Sequence, residues 1–318
     1  MKKLISVFGA ITALMLVMAP VANAVIISPI AIDNIELDRG EAAFRTITVI
    51  NDQEGKQTFY LSAKNFEPVG EEGEVSITHE KYGLAEWITF PGEAFTLEPG
   101  EEKEVDFSVV VPDNADPGSH YAAVFVSTKA PDVEDGLGLS EHVGTLVFTL
   151  VEGDAIEDVR LLGFNTVGNK TFYNRLPTEF EYRIENRGTV HVKPRGIITL
   201  NGWFGDDEIK ANPIGGRNLP NSIRRLETIW VKDPEAVEPG GFMDELKNEW
   251  KNFAIGKYTA ELAVDYGTEG NTLNAETGFW VFPWRVFLVA GLLIIVIIVL
   301  ILLYNKMVIS AANRKKKK

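Results

Sequence analysis

Lys103-Glu104-Val105-Asp106-Phe107-Ser108-Val109-Val110-Val111 alternates polar and apolar side chains from Glu104 to Val109. Residues two apart in an extended chain point to the same side, so Val105, Phe107, Val109 and Val111 share one face, and Glu104, Asp106 and Ser108 the other. This is the pattern of a half-buried β-strand. The same period recurs where Phe180, Tyr182 and Ile184 oppose Glu179, Glu181, Arg183 and Glu185. It recurs again where Tyr258, Ala260, Leu262, Val264 and Tyr266 oppose Lys257, Thr259, Glu261 and Asp265. Tyr121 to Val126 and Leu146 to Val151 are apolar or β-branched almost throughout, as central strands can be. Gly, Pro, Asn and Asp clusters separate the runs. The pattern predicts an all-β fold with two tandem immunoglobulin-like β-sandwich domains, at residues 25–152 and 153–283.

A weak internal repeat supports the count of two. Ile47-Thr48-Val49-Ile50-Asn51 resembles Tyr182-Arg183-Ile184-Glu185-Asn186, and Gly118-Ser119-His120-Tyr121-Ala122 resembles Gly256-Lys257-Tyr258-Thr259-Ala260. The physical reading is a strand that ends in an Asn turn, followed later by a strand whose Tyr packs inward. Chance is the competing reading, since turns draw on few residue types. One segment breaks the β pattern: near 242–253, Phe242, Leu246, Trp250 and Phe253 fall on one helical face. The plain reading is a helical crossover closing one end of the second sandwich; the sharper one is a docking helix for a partner.

The ends suggest an address. Residues 1–24 read as a signal peptide, with Lys2 and Lys3, an apolar run, and Ala22-Asn23-Ala24 before a mature start at Val25. Val286 to Leu303 holds no charge and predicts one C-terminal transmembrane helix over 284–304. Trp280, Phe282, Trp284 and Tyr304 flank it as interfacial rings. Arg314 and Lys315 to Lys318 lie in a basic tail, 305–318, which the positive-inside rule leaves in the cytoplasm, with the ectodomain outside the cell membrane. No Leu-Pro-x-Thr-Gly sorting site precedes the span, so the helix is expected to remain the anchor.

With no cysteine, the chain has no disulfide, no thiol catalysis and no Cys-based metal site. Residues 25–152 carry 7 basic and 25 acidic side chains, and residues 153–283 carry 15 and 20. So acidic a surface repels nucleic acid, anionic lipid and anionic wall polymers.

The four histidines, His79, His120, His142 and His191, lack metal-ligand spacing, and no nucleophile, zinc-protease or phosphate-loop motif occurs. The expectation is a protein that is not an enzyme and needs no cofactor. Asp113 and Asp116, in an oxygen-rich loop, are candidates for calcium; an ordinary solvated turn is the plain alternative. Trp203 and Phe204, between two glycines, suit stacking on a sugar or anchoring a partner, against the expectation that at least one ring fills the core. Arg217, Arg224 and Arg225 form a cluster suited to a carboxylate, or else a solvated face.

The layout, together with Ser28-Pro29, Gly40-Glu41, Asn51-Asp52, Leu97-Glu98-Pro99-Gly100-Glu101 and Val111-Pro112 through Tyr121-Ala122-Ala123, resembles the WxL-interacting proteins of Gram-positive cell surfaces. Glu185-Asn186-Arg187-Gly188 through Gly196, and Gly256-Lys257-Tyr258, resemble that family's second domain. The resemblance implies peptidoglycan binding through the first domain and capture of a surface protein through the second. Periplasmic pilus chaperones are similar in outline, which leaves an envelope-tethered assembly chaperone that captures extended strands as the alternative. A hydrolase using paired carboxylates is the third reading.

Overall fold

The computed structural model describes residues 25–78, 81–129, 142–236, 240–268 and 270–315. The expected signal peptide lies outside them. The described chain forms two compact units, one of residues up to Glu67 with Val75–Ala155, the other of Pro68–Glu74 with Ile156 onward. Each is built on an immunoglobulin-like β-sandwich, so the all-β expectation holds.

The strands of the first sandwich are β1 (Val25–Ser28), β2 (Ala31–Leu37), β3 (Ala42–Asn51), β4 (Gln57–Val69), β5 (Glu74–Ile77), β6 (Ile88–Thr89), β7 (Ala94–Leu97), β8 (Glu102–Val110), β9 (Gly118–Ser127) and β10 (His142–Val151). A one-turn helix, α1 (Leu84–Trp87), precedes β6. One sheet runs β1-β3-β8-β6 and the other β2-β10-β9-β4-β5, with β7 also on β4. The N-terminal segment serves both: β1 pairs antiparallel with β3, and after Pro29 the chain crosses so that β2 pairs parallel with β10. The alternation of β8 does what it predicts. Val105, Phe107 and Val109 are buried against Ile47 and Val49 of β3 and Leu61, Val124 and Val126 of the facing sheet.

The second sandwich comprises β11 (Val159–Thr166), β12 (Phe172–Tyr173), β13 (Thr178–Asn186), β14 (Arg195–Gly202), β15 (Asp207–Lys210), β16 (Ser222–Trp230), β17 (Gly256–Tyr266) and β18 (Asn271–Val281). Its sheets run β11-β13-β16 and β12-β18-β17-β14-β15. Two helices complete the unit, α2 (Phe242–Lys251) and α3 (Trp284–Lys315). The core is aromatic: Trp230 and Tyr258 meet edge to face at 4.9 Å, and Tyr258 stacks on Phe279 at 5.7 Å. Tyr182 fills this core, yet its buried hydroxyl finds no hydrogen-bond partner among the described residues, and burial pushes that hydroxyl's pKa up. Replacing it by Phe removes an unsatisfied group without changing shape. Y182F is expected to raise the denaturation midpoint, by up to about 1 kcal/mol in stability; a lower midpoint would contradict this.

The repeated Asn has a physical basis. Each is the last residue of its strand and is fully buried. Asn51 Oδ1 accepts from the N–H of Gln53 at 3.2 Å, and its amide donates to the carbonyl of Gly55 at 2.9 Å. Asn186 repeats both: Oδ1 accepts from the N–H of Gly188 at 3.0 Å, and the amide donates to the carbonyl of Val190 at 2.8 Å. Each amide also bonds a more distant loop, Leu97 and Glu98 for Asn51 and Asn218 for Asn186. One side chain therefore closes a turn that cannot close itself and ties it to a second loop.

Candidate functional site

The chemically distinctive region is the end of the second sandwich where α3 begins. Since β17 runs antiparallel to both neighbours, Gly202 of β14 pairs with Tyr258, and Val281 of β18 with Gly256. The end of β14, the start of β17 and the end of β18 are therefore level. Only Phe282 and Pro283 separate β18 from α3.

Helix α2 buries its apolar stripe only in part there: Leu246 and Phe253 are half-buried, and the Phe242 ring stands 6.3 Å from that of Trp284. An amphipathic crossover ordinarily turns its apolar stripe inward. Here the buried residues are Asn248 and Glu249, whereas Met243 and Trp250 are each 70% exposed and Phe242 is 45% exposed. The reason is Glu249. Its fully buried carboxylate accepts from the N–H groups of Arg285 and Val286, at 2.8 and 3.0 Å, and from the Arg285 guanidinium at 2.8 Å. Those N–H groups open α3 and have no partner within that helix, and the positive end of its dipole favours an anion. Glu249 thus caps α3 from another helix. Arg285 also lies 3.6 Å from Glu245, which pairs with Arg175 at 2.8 Å, so charges alternate along the seam. The far end of α2 is pinned too: Asn252 accepts from the N–H groups of Lys232 and Asp233, and Lys251 pairs with Asp233 at 2.8 Å.

Trp203 and Phe204 sit in the β14–β15 turn at this same end. Neither ring fills the core, which corrects the expectation from sequence: they are 67% and 70% exposed. Trp203 lies edge-on to Trp280 at 5.5 Å. It also covers Gly256, where a Cβ would stand 2.9 Å from the ring, so glycine makes room for the indole. Phe172 of β12 is the cross-strand neighbour of Trp280.

The other candidates fare differently. Arg224 and Arg225 are consecutive on β16 and so face opposite ways. Arg225 is already met by carboxylates of its own unit, Glu227 at 3.3 Å, Glu181 at 3.7 Å and Glu72. Arg224 is half-buried, and desolvation lowers its pKa. Arg217 is half-buried and engaged. Asp113 and Asp116 are exposed in the loop after β8, where the Arg39 guanidinium donates to the carbonyl of Ala115 at 2.7 Å. Among the described residues, no three His, Asp or Glu side chains come together as a metal site. His79 lies outside the described residues.

Glu249 and Arg285, the centre of the site, carry no motif. The usable sequence signal was a lone Arg at the entry to an apolar run. Trp284–Ile309 is long and apolar enough to cross a membrane, 26 residues or about 39 Å of helix. The helix continues to Lys315, so much of the expected separate tail, 305–318, is helical.

No family model matches the chain, and no curated protein matches it. Solved structures similar to it include the class 5 fimbriae chaperone CfaA, at 12% identity and TM-score 0.38 over 80% of this chain and 99% of that one. The E. coli chaperone DraB is 13% identical, with TM-score 0.34 over 81% of this chain and 97% of that one. Salmonella enterica SafA pilin in complex with the SafB chaperone gives 12% identity and TM-score 0.36, over 81% of this chain and 99% of that one. These likenesses concern fold outline alone.

Proposed function

We propose that the chain is a non-enzymatic, membrane-anchored binding protein that presents acidic β-sandwiches outside the cell to a surface-protein partner, with cell-wall material as a second ligand. The observation that carries this reading is the junction: Glu249 fastens the second sandwich to the first turn of an apolar helix across a two-residue connection. Such a seam suits a stand that displays a folded unit. The resemblance to WxL-interacting proteins favours the same division of labour. With 7 basic against 25 acidic side chains in residues 25–152, wall attachment would use neutral sugars or amines rather than anionic polymers.

The second reading, a chaperone that captures extended strands, is favoured by one edge. Strand β1 pairs with β3 from Thr48 to Asn51, and Phe44, earlier on the same strand, is 76% exposed. The Arg45 guanidinium donates to the Phe44 carbonyl at 2.8 Å, so a captured strand would have to displace it.

The test uses the full chain in lipid nanodiscs, probed with peptidoglycan stripped of anionic polymers and with surface proteins by photo-crosslinking. The display reading expects retention on peptidoglycan or a specific crosslink, either of them unchanged in Phe44→Lys. The chaperone reading expects Phe44→Lys to weaken capture roughly tenfold, the effect of losing one buried aromatic contact. Binding to neither probe would overturn both.

A further inference from the structure

Resting on the anchoring reading above, we infer that the base of the second sandwich is itself seated in the headgroup layer of the bilayer that α3 crosses. Its contact residues are Trp203, Phe204, Met243 and Trp250, with Phe172 and Trp280 beside them.

Three observations converge. The first is the exposed side of α2. Met243, Lys247 and Trp250 recur at i, i+4 and i+7 on the exposed side of α2, while its buried side holds Asn248 and Glu249. A helix that hides a carboxylate and shows an indole to water is set for a surface that is not water. Apolar rings interleaved with a long Lys side chain are what a helix lying in a membrane interface presents, with the ammonium reaching back to the headgroups.

The second is the β14–β15 turn. Trp203 and Phe204 are two large rings at a strand end, with exposures that no core or neighbouring element reduces below two-thirds. Indole edges belong where one side is apolar and the other wet.

The third is depth. The Glu249 carboxylate touches the N–H of Val286, the first residue of the uninterrupted apolar run, and Trp250 follows it in α2. Trp250 is the residue next to Glu249, one Cα spacing of about 3.8 Å from the residue whose side chain meets the start of α3. Trp203 stands edge-on to Trp280, which precedes Trp284 by four residues. The patch is thus continuous with the entry point of the span. Its occupant is lipid, at the shallow depth of about 5–10 Å that interfacial elements reach.

The chain's lack of cysteine provides a clean background for the test. Single-cysteine variants Phe204→Cys, Met243→Cys, Phe44→Cys and Ile294→Cys of the full chain are nitroxide-labelled and reconstituted in phosphatidylcholine vesicles. Collision with oxygen is then compared with collision with a water-soluble nickel chelate. Labels at 204 and 243 are expected to favour oxygen, reversing the sign of the depth parameter relative to the label at 44, while the label at 294 is deepest. A deep label at 294 with water-like labels at 204 and 243 overturns this inference and leaves the anchor intact. A water-like label at 294 overturns both. Low access to either reagent at 204 and 243, as inside a protein contact, also overturns it and assigns the patch to a protein partner.

Discussion

Glu249→Ala is expected to destabilise the second sandwich by about 3 kcal/mol, the lower part of the range for removing one member of a buried ion pair. Three donors lose their acceptor at once, two of them N–H groups at the start of α3. Arg285 keeps Glu245 at 3.6 Å, and its side chain is 17% exposed, which places the loss at the lower end. Glu249→Gln retains an acceptor but loses the charge, so it should fall between wild type and Ala. Thermal unfolding of the full chain in nanodiscs reads the order wild type, Gln, Ala. A double cycle with Arg285→Met should show that the paired replacement costs less than the two single losses added together. An Ala variant within about 0.5 kcal/mol of wild type would mean that the Glu249 carboxylate does not hold the start of α3.

The second large effect belongs to the Asn corners. Asn186→Ala leaves the carbonyls of Val190 and Asn218 and the N–H of Gly188 without that amide, and Asn51→Ala strands those of Gly55, Leu97, Glu98 and Gln53. With about 1–3 kcal/mol for each buried group left unsatisfied, and some recovery by water, each substitution should cost roughly 3 kcal/mol. Asp at either position would keep the acceptor but lose both donors and bury a charge, so it should be no better than Ala. Denaturant unfolding should show each variant shifting the transition of its own unit. Equal shifts of both transitions from one substitution, or no shift from either, would contradict the role given to these side chains.

How much of this was legible beforehand differs residue by residue. Period-two alternation placed Val105, Phe107 and Val109 on the buried face, because a strand with one wet side has no other way to satisfy its side chains. The resemblance around Asn51 and Asn186 marked two turns that turned out to share a hydrogen-bond pattern. The period of 3.6 in residues 242–253 gave the helix but not its facing. An apolar stripe says only that one side avoids water, and the surface it avoids water against lies outside the segment. What decides the facing is Arg285, 36 residues beyond Glu249, a pairing that local pattern cannot supply. The expectation that Trp203 or Phe204 fills the core failed because a sandwich's need for aromatic filling does not say which rings supply it; here Trp230, Tyr258 and Phe279 do. Charge clusters were the least informative. Arg225 is paired with carboxylates of its own unit and Asp113 is exposed in a loop, and a chain rich in carboxylates brings like and unlike charges together often.

With only Phe282 and Pro283 between β18 and α3, and Glu249 clamping the first turn, the helix has no swivel. Membrane helices lean by about 20° on average, and by more where the bilayer is thin. On the proposed anchoring, any such lean, or a twist from dimerisation within the lipid, is transmitted to the second sandwich as a change in its heading. Bilayer thickness thereby becomes a steering input for whatever that sandwich points toward.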